Sequence, residues 1–464
     1  MAHRDADSSG GILGPSLMPW PAPVRRSFPW VLAGIPVAAT ALPFLSVVSA
    51  RGVASIARTR GPLAAAVTVG AGASVLGASL VGARRLRRSK VRDLRDSARC
   101  IDSGFAEPPG SAAVTTGPGS ALTLAAVGRE GARYLGSATT PSDVEFVTGQ
   151  APLAEPIRVF VGFDSADSID ARIALAVAEL ERTGAFERST LLVQAPAGTG
   201  YANSTPVDVV ECLTEGDCAS VAVGYGLLPS FLSLDRVALA TRTQAALLEA
   251  IADACLGRQR RPRILLYGES LGAKVQQRAL PGGVADLERL GVDRALWVGT
   301  PGGKDYDDAH RLFDPVAITI DRPEQLPLAI DEHLRVWFLE HDGDPVVRFR
   351  SDLAYRRPSW LDPSGIRGRG IPEDMRWSPG ITWAQVLVDT VFATDVTPGD
   401  FRSEGHDYRA DLGAVATAAF GLGDRGGRGW SPGWSPGWQV RLEERLRDLE
   451  VRRAQRVAPG SSVG

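Results

Sequence analysis

Along the middle of the chain, apolar residues gather in short blocks bounded by polar or glycine-rich stretches. Residues 157–161, 190–194, 220–225, 264–267, 294–298 and 335–339 read this way. Runs this short suit strands buried on both faces rather than helices. Longer segments of helical composition alternate with them: 171–180, 237–256, 273–280 and 410–419. Alternation of this kind predicts an α/β fold, a mostly parallel sheet with helices on both faces.

The pattern changes toward the N-terminus. Residues 1–26 read as a disordered tail rich in Gly, Ser and Pro. Stretches 27–50 and 61–83 carry no charged residue, and each exceeds the about 20 residues that cross a bilayer. Together they predict two transmembrane helices within a membrane region, 27–96. Arg84, Arg85, Arg87, Arg88, Lys90 and Arg92 follow the second stretch. By the positive-inside rule they place the following domain on the cytoplasmic side of a cell membrane, as part of a multi-pass protein. A competing reading takes Arg25-Arg26 as a twin-arginine export signal cut after Ala50, giving an exported domain. Residues 97–125 read as a linker, 126–423 as the main domain, and 424–464 as a W-S-P-G repeat followed by a charged, solvated tail helix.

The chemistry centres on Gly268-Glu269-Ser270-Leu271-Gly272, a G-x-S-x-G pattern set between a strand and a helix. In that setting a sharp turn exposes the serine hydroxyl at the sheet edge, and the helix N-terminus faces a developing oxyanion. Ser270 is the expected nucleophile. After the last strand, Gly343-Asp344-Pro345 forms a turn, and Asp344 is preferred to Asp342 as the acid. Downstream, Gly405-His406 supplies the general base. The order serine, acid, histidine matches that of this fold type. An oxyanion hole needs two backbone N–H groups; the expected donors are Leu271 and Thr199. His341, beside the acid loop, is a supporting candidate, and His310 and His333 are rivals to His406.

About sixty residues separate Asp344 from His406, more than a simple loop uses. With Trp360, Trp377, Trp383 and an apolar run at 384–391, residues 345–405 read either as a lid over an apolar acyl pocket or as a peripheral helix filling the core. Composition narrows the rest. A formal net charge of −2 over 464 residues gives no basic field for nucleic acid. Cys100, Cys212, Cys218 and Cys255 form no metal-binding or disulfide framework; Cys212 and Cys218 would bridge only in an exported domain. No metal or organic cofactor is expected. The partners expected are the lipid bilayer and a small-molecule or lipid ester.

Several segments together resemble bacterial membrane-anchored α/β-hydrolase proteins, in which a hydrophobic N-terminal region precedes a hydrolase domain. They are Gly128–Gly131, Pro156–Gly162, Gly198–Gly200, Gly216-Asp217, Gly268–Gly272, Trp297–Gly299, His341–Pro345, Arg357–Leu361 and Gly405–Tyr408. The resemblance implies an α/β-hydrolase fold and places the catalytic triad on Ser270, Asp344 and His406. The expectation is a membrane-anchored serine hydrolase, an esterase or lipase. A non-catalytic membrane scaffold on the same fold and an exported cutinase-like esterase are the alternatives.

Overall fold

A computed structural model describes residues 95–227, 237–328, 331–365, 367–393, 401–422 and 436–457. The segment before the first strand forms α1 (Leu124–Leu135) and α2 (Pro141–Thr148). A capping box starts α2: Thr140 accepts the Asp143 N–H, and Asp143 accepts the Thr140 N–H. Then follow β1 (Ile157–Val161), α3 (Ile169–Thr183), β2 (Thr190–Ala195), α4 (Thr205–Leu213), β3 (Cys218–Val223), α5 (Val237–Cys255) and β4 (Arg263–Glu269). The second half contains α6 (Leu271–Arg278), α7 (Val284–Arg289), β5 (Val292–Val298), α8 (Lys304–Phe313), β6 (Ala317–Ile320), β7 (Val336–Leu339) and α9 (Pro345–Arg348). The last helices are α10 (Ile381–Phe392), α11 (Arg409–Phe420) and α12 (Trp438–Val457).

The strands make one seven-stranded sheet in the order β1-β3-β2-β4-β5-β7-β6, with every pair parallel. A parallel sheet buries both faces. Accordingly β1, β2, β3 and β7 are buried at every position. On one side α3, α5, α6 and α8 pack in succession; on the other, α2, α4, α11 and α12 do. Trp297 and Trp337 are fully buried in the core, Trp297 edge-on to Phe313 at 4.8 Å. The α/β expectation holds. Strand β6 and helices α1, α2, α4, α7, α8 and α9 went unread; Ala317–Ile320 is four residues long and partly exposed, and α4 is buried all round. The apolar run at 384–391 lies within α10.

Two expectations are corrected. The segment read as a linker is fastened to the domain: Val114 pairs with Arg158 of β1, and Phe105 and Thr115 are buried. The charged tail helix is solvated on one face only. Leu442, Leu446 and Leu449 of α12 are buried, Arg445 and Arg452 each meet Asp143 at 3.0 Å, and Arg453 meets Asp208 at 2.6 Å. The charges that suggested a solvated surface instead answer carboxylates on α2 and α4. Asp208 and Glu211 also hold Arg158, which is wholly buried, at 2.8 and 2.6 Å.

Among the described residues no helix is long and apolar enough to cross a membrane. The spans expected at 27–50 and 61–83, the basic run after them and most of the W-S-P-G repeat lie outside the described residues. Cys212 and Cys218 are both buried and unbridged.

Candidate active site

Ser270 occupies the turn between β4 and α6 with φ 53° and ψ −123°, a left-handed backbone uncommon for a residue with a side chain. Its N–H donates to the carbonyl of Val298, at the end of β5, over 2.8 Å. The flanking glycines are required by close approach. A Cβ on Gly268 would lie 2.7 Å from the Ala273 Cα, and one on Gly272 would lie 2.2 Å from the Ala195 carbonyl oxygen. Helix α6 is tied to the sheet behind the turn: Gln276 donates to the Val193 carbonyl at 3.2 Å and accepts from the Trp297 indole N–H at 2.8 Å. The turn is thereby rigid, and Ser270 itself is half-buried.

Asp344 follows β7 as the N-cap of α9 and is fully buried. Three donors converge on its carboxylate. The Val346 N–H reaches Oδ1 at 2.7 Å, and Oδ2 accepts from His406 Nδ1 and from the Tyr408 hydroxyl, each at 2.6 Å. A carboxylate facing Nδ1 makes that nitrogen the donor, so in the neutral ring Nε2 is the acceptor. Burial by itself would lower the His406 pKa. The Asp344 charge and hydrogen bond outweigh it, with smaller contributions from Glu269 and Asp407, and the pKa lies above the ordinary 6.5. Burial and then Asp344 push Tyr408 well above the ordinary tyrosine value, so its hydroxyl remains a donor.

Gly299 brings the two halves of the site together. It follows Val298, has φ +56°, and a Cβ there would lie 2.7 Å from His406 Cε1 and 2.9 Å from Tyr408 Cε2. The imidazole therefore packs directly on the chain next to the carbonyl that holds the Ser270 N–H. Ser270, Gly299 and Asp344 follow the carboxyl ends of β4, β5 and β7, adjacent strands of one sheet.

The other sequence candidates separate from this group. Asp342 pairs with Arg348 at 2.7 Å. His310 lies between the Tyr306 carbonyl and Glu340, and His333 is exposed. His341 supports the site: its ring nitrogens meet the Gly405 carbonyl at 2.9 Å and Asp411 at 2.8 Å, and its ring stacks on Tyr408 at 4.0 Å. With both nitrogens engaged, it braces the residue before His406. Leu271 is the first residue of α6, where backbone N–H groups lack intrahelical acceptors. Thr199 lies in the loop leaving β2 and lines a narrow cleft with Glu130, Phe160, Gly162 and Gly224. Sequence reasoning missed the roles of Tyr408 and Asp411; the only available signal was their spacing, two and five residues after His406.

A cavity of about 500 Å³ lies elsewhere. It opens at the amino ends of β4 and β5 between Arg261, Arg263, Arg294 and Arg335, at the opposite edge of the sheet from Ser270. The segment between Asp344 and His406 has a small core of its own, in which Leu353, Leu361, Ile371, Met375 and Val386 are buried with Trp360, Trp377 and Trp383 against them.

Two solved structures align with 34% of the chain and 85% of their own length: an iodinated complex of acetyl xylan esterase, at 17% identity and TM-score 0.24, and an acetylxylan esterase, at 16% and 0.22. Likenesses so distant say nothing about substrate. No curated protein matches the chain. Residues 157–312 and 318–422 match the alpha/beta-hydrolase family, a match that contains Ser270, Asp344 and His406. Because that match covers more than half of the residues, the chain belongs to the alpha/beta-hydrolase family.

Proposed function

We propose that this protein is a serine hydrolase that cleaves ester bonds through an acyl-enzyme on Ser270. The observation that supports this best is the strained turn of Ser270 beside a buried His406–Asp344 pair held at 2.6 Å. In the first step Ser270 Oγ attacks the ester carbonyl carbon while His406 Nε2 takes its proton. Asp344 stabilises the imidazolium that results. The carbonyl oxygen becomes an oxyanion, received by the N–H groups of Leu271 and Thr199. Collapse breaks the bond to the alcohol, which leaves with the proton from His406. Water then attacks the acyl-enzyme by the same route and releases the acid.

The separate apolar core between Asp344 and His406 fits a cap that shapes an acyl pocket. Anchorage through 27–50 and 61–83, with the hydrolase domain on the cytoplasmic face and a lipid or small-molecule ester as substrate, completes the proposal.

Labelling with a fluorophosphonate probe tests it. Folded wild type is expected to label, Ser270→Ala to lose the label, and Ser204→Ala to keep it. Absence of label on folded wild-type protein would overturn the proposal and favour a scaffold.

A further inference from the structure

The match to the family ends at residue 422, yet α12, beyond it, reaches the turn that carries His406. Arg409, three residues after the histidine, is buried. Its guanidinium grips Asp407, with Nε 2.9 Å from Oδ1 and Nη2 2.8 Å from Oδ2, and its remaining fork arm, Nη1, donates to Glu450 of α12 at 2.9 Å. Upstream of the histidine, the Phe401 ring lies 5.4 Å from the Arg409 guanidinium and 5.8 Å from that of Arg447, also on α12. The strap from Phe401 to Arg409 is thus fastened to α12 on both sides of His406.

Helix α12 is in turn fixed to the body. Arg453 meets Asp208 at 2.6 Å, Arg441 donates to the Val147 carbonyl at 2.9 Å, and Arg456 donates to the Gly104 carbonyl at 2.9 Å. Burial of Arg409 would by itself lower its pKa, but Asp407 and Glu450 outweigh that and raise it. A planar fork held between two carboxylates fixes direction as well as distance.

The structure assigns Glu450 as a positioning residue: through Arg409 it holds the turn that aims His406 at Ser270, so that a helix outside the family's matched region is part of the working site. This rests on the serine-hydrolase reading above. Small displacements of a catalytic group lower the rate steeply, about a hundredfold for 1 Å, while a partly exposed ion pair adds little to stability.

The test uses full-length protein and two readouts, the rate of fluorophosphonate labelling and hydrolysis of p-nitrophenyl butyrate. Glu450→Ala is expected to slow labelling and kcat about tenfold or more with KM unchanged. Glu450→Gln, which keeps an acceptor oxygen, should recover part of the loss. Glu444→Ala, on the exposed face of the same helix, should match wild type, and the melting temperature of all three should stay near that of wild type. Labelling of folded Glu450→Ala at the wild-type rate would overturn the inference, as would a loss that merely tracks the unfolded fraction. If Glu450→Ala does not fold, the comparison of Glu450→Gln with Glu444→Ala decides. If wild type itself takes no label at Ser270, the serine-hydrolase reading fails first; labelled wild type with an indifferent Glu450 sinks this inference alone.

Discussion

Tyr408 donates its hydroxyl to the same Asp344 oxygen that receives His406 Nδ1, both at 2.6 Å. The tyrosine oxygen also accepts the His341 N–H at 3.1 Å. One phenol therefore joins the end of β7 to the acid that follows it. Replacing Tyr408 with Phe removes a hydrogen bond to a charged group and leaves a buried N–H without its acceptor. The expected cost is about 1.5–3 kcal/mol of stability, together with a lower kcat. Urea unfolding and ester hydrolysis of the same preparation measure both.

The His406 pKa above 6.5 fixes the direction of the pH dependence. The ring must be neutral to accept the serine proton, so kcat/KM should rise through a pKa above 6.5 as pH increases. Asp344→Asn removes the main upward contribution and leaves the downward pull of burial, so the remaining activity should titrate at lower pH. Stability follows the opposite course. A folded pKa raised above the unfolded value stabilises the fold below the unfolded pKa, and this increment is lost as pH rises through the folded pKa. A pH–rate profile that stays in place in Asp344→Asn would sink the pairing.

Gly299 admits no side chain beside the imidazole. Alanine there would bring a Cβ to 2.7 Å from His406 Cε1 at a φ of +56°. The strained backbone costs about 1–3 kcal/mol. The displaced ring should lower kcat about a hundredfold, whereas the binding of a non-reactive ester analogue should change little. Calorimetry with such an analogue and steady-state kinetics separate the two effects.

The buried ion cluster under β1 gives a stability prediction unrelated to chemistry. Arg158→Met leaves Asp208 and Glu211 buried without their shared partner. Breaking such a pair from one side costs about 3–5 kcal/mol, and the loss should also loosen α12, whose Arg453 shares Asp208. Hydrogen exchange across 438–457 reports that coupling.

Much of this protein was legible along the chain. Hydrophobic runs of strand length, alternating with helical segments, specify a parallel sheet, because only that arrangement buries continuous apolar strands on both faces. The setting of Gly268–Gly272 specified the serine turn, although of the two glycines only Gly268 answers a local contact, with Ala273 of the next helix; Gly272 makes room for the Ala195 carbonyl at the end of β2. Tertiary structure decided what depends on long-range approach. The order β5-β7-β6 places Asp344 one strand from Gly299, which no local pattern encodes. Tyr408, Gly299 and Glu450 gain their roles only when segments separated by 64, 107 and 41 residues meet around one imidazole. The charges of α12 suggested solvent because sequence records the sign of a side chain but not the carboxylate waiting opposite it; folding supplied the partners.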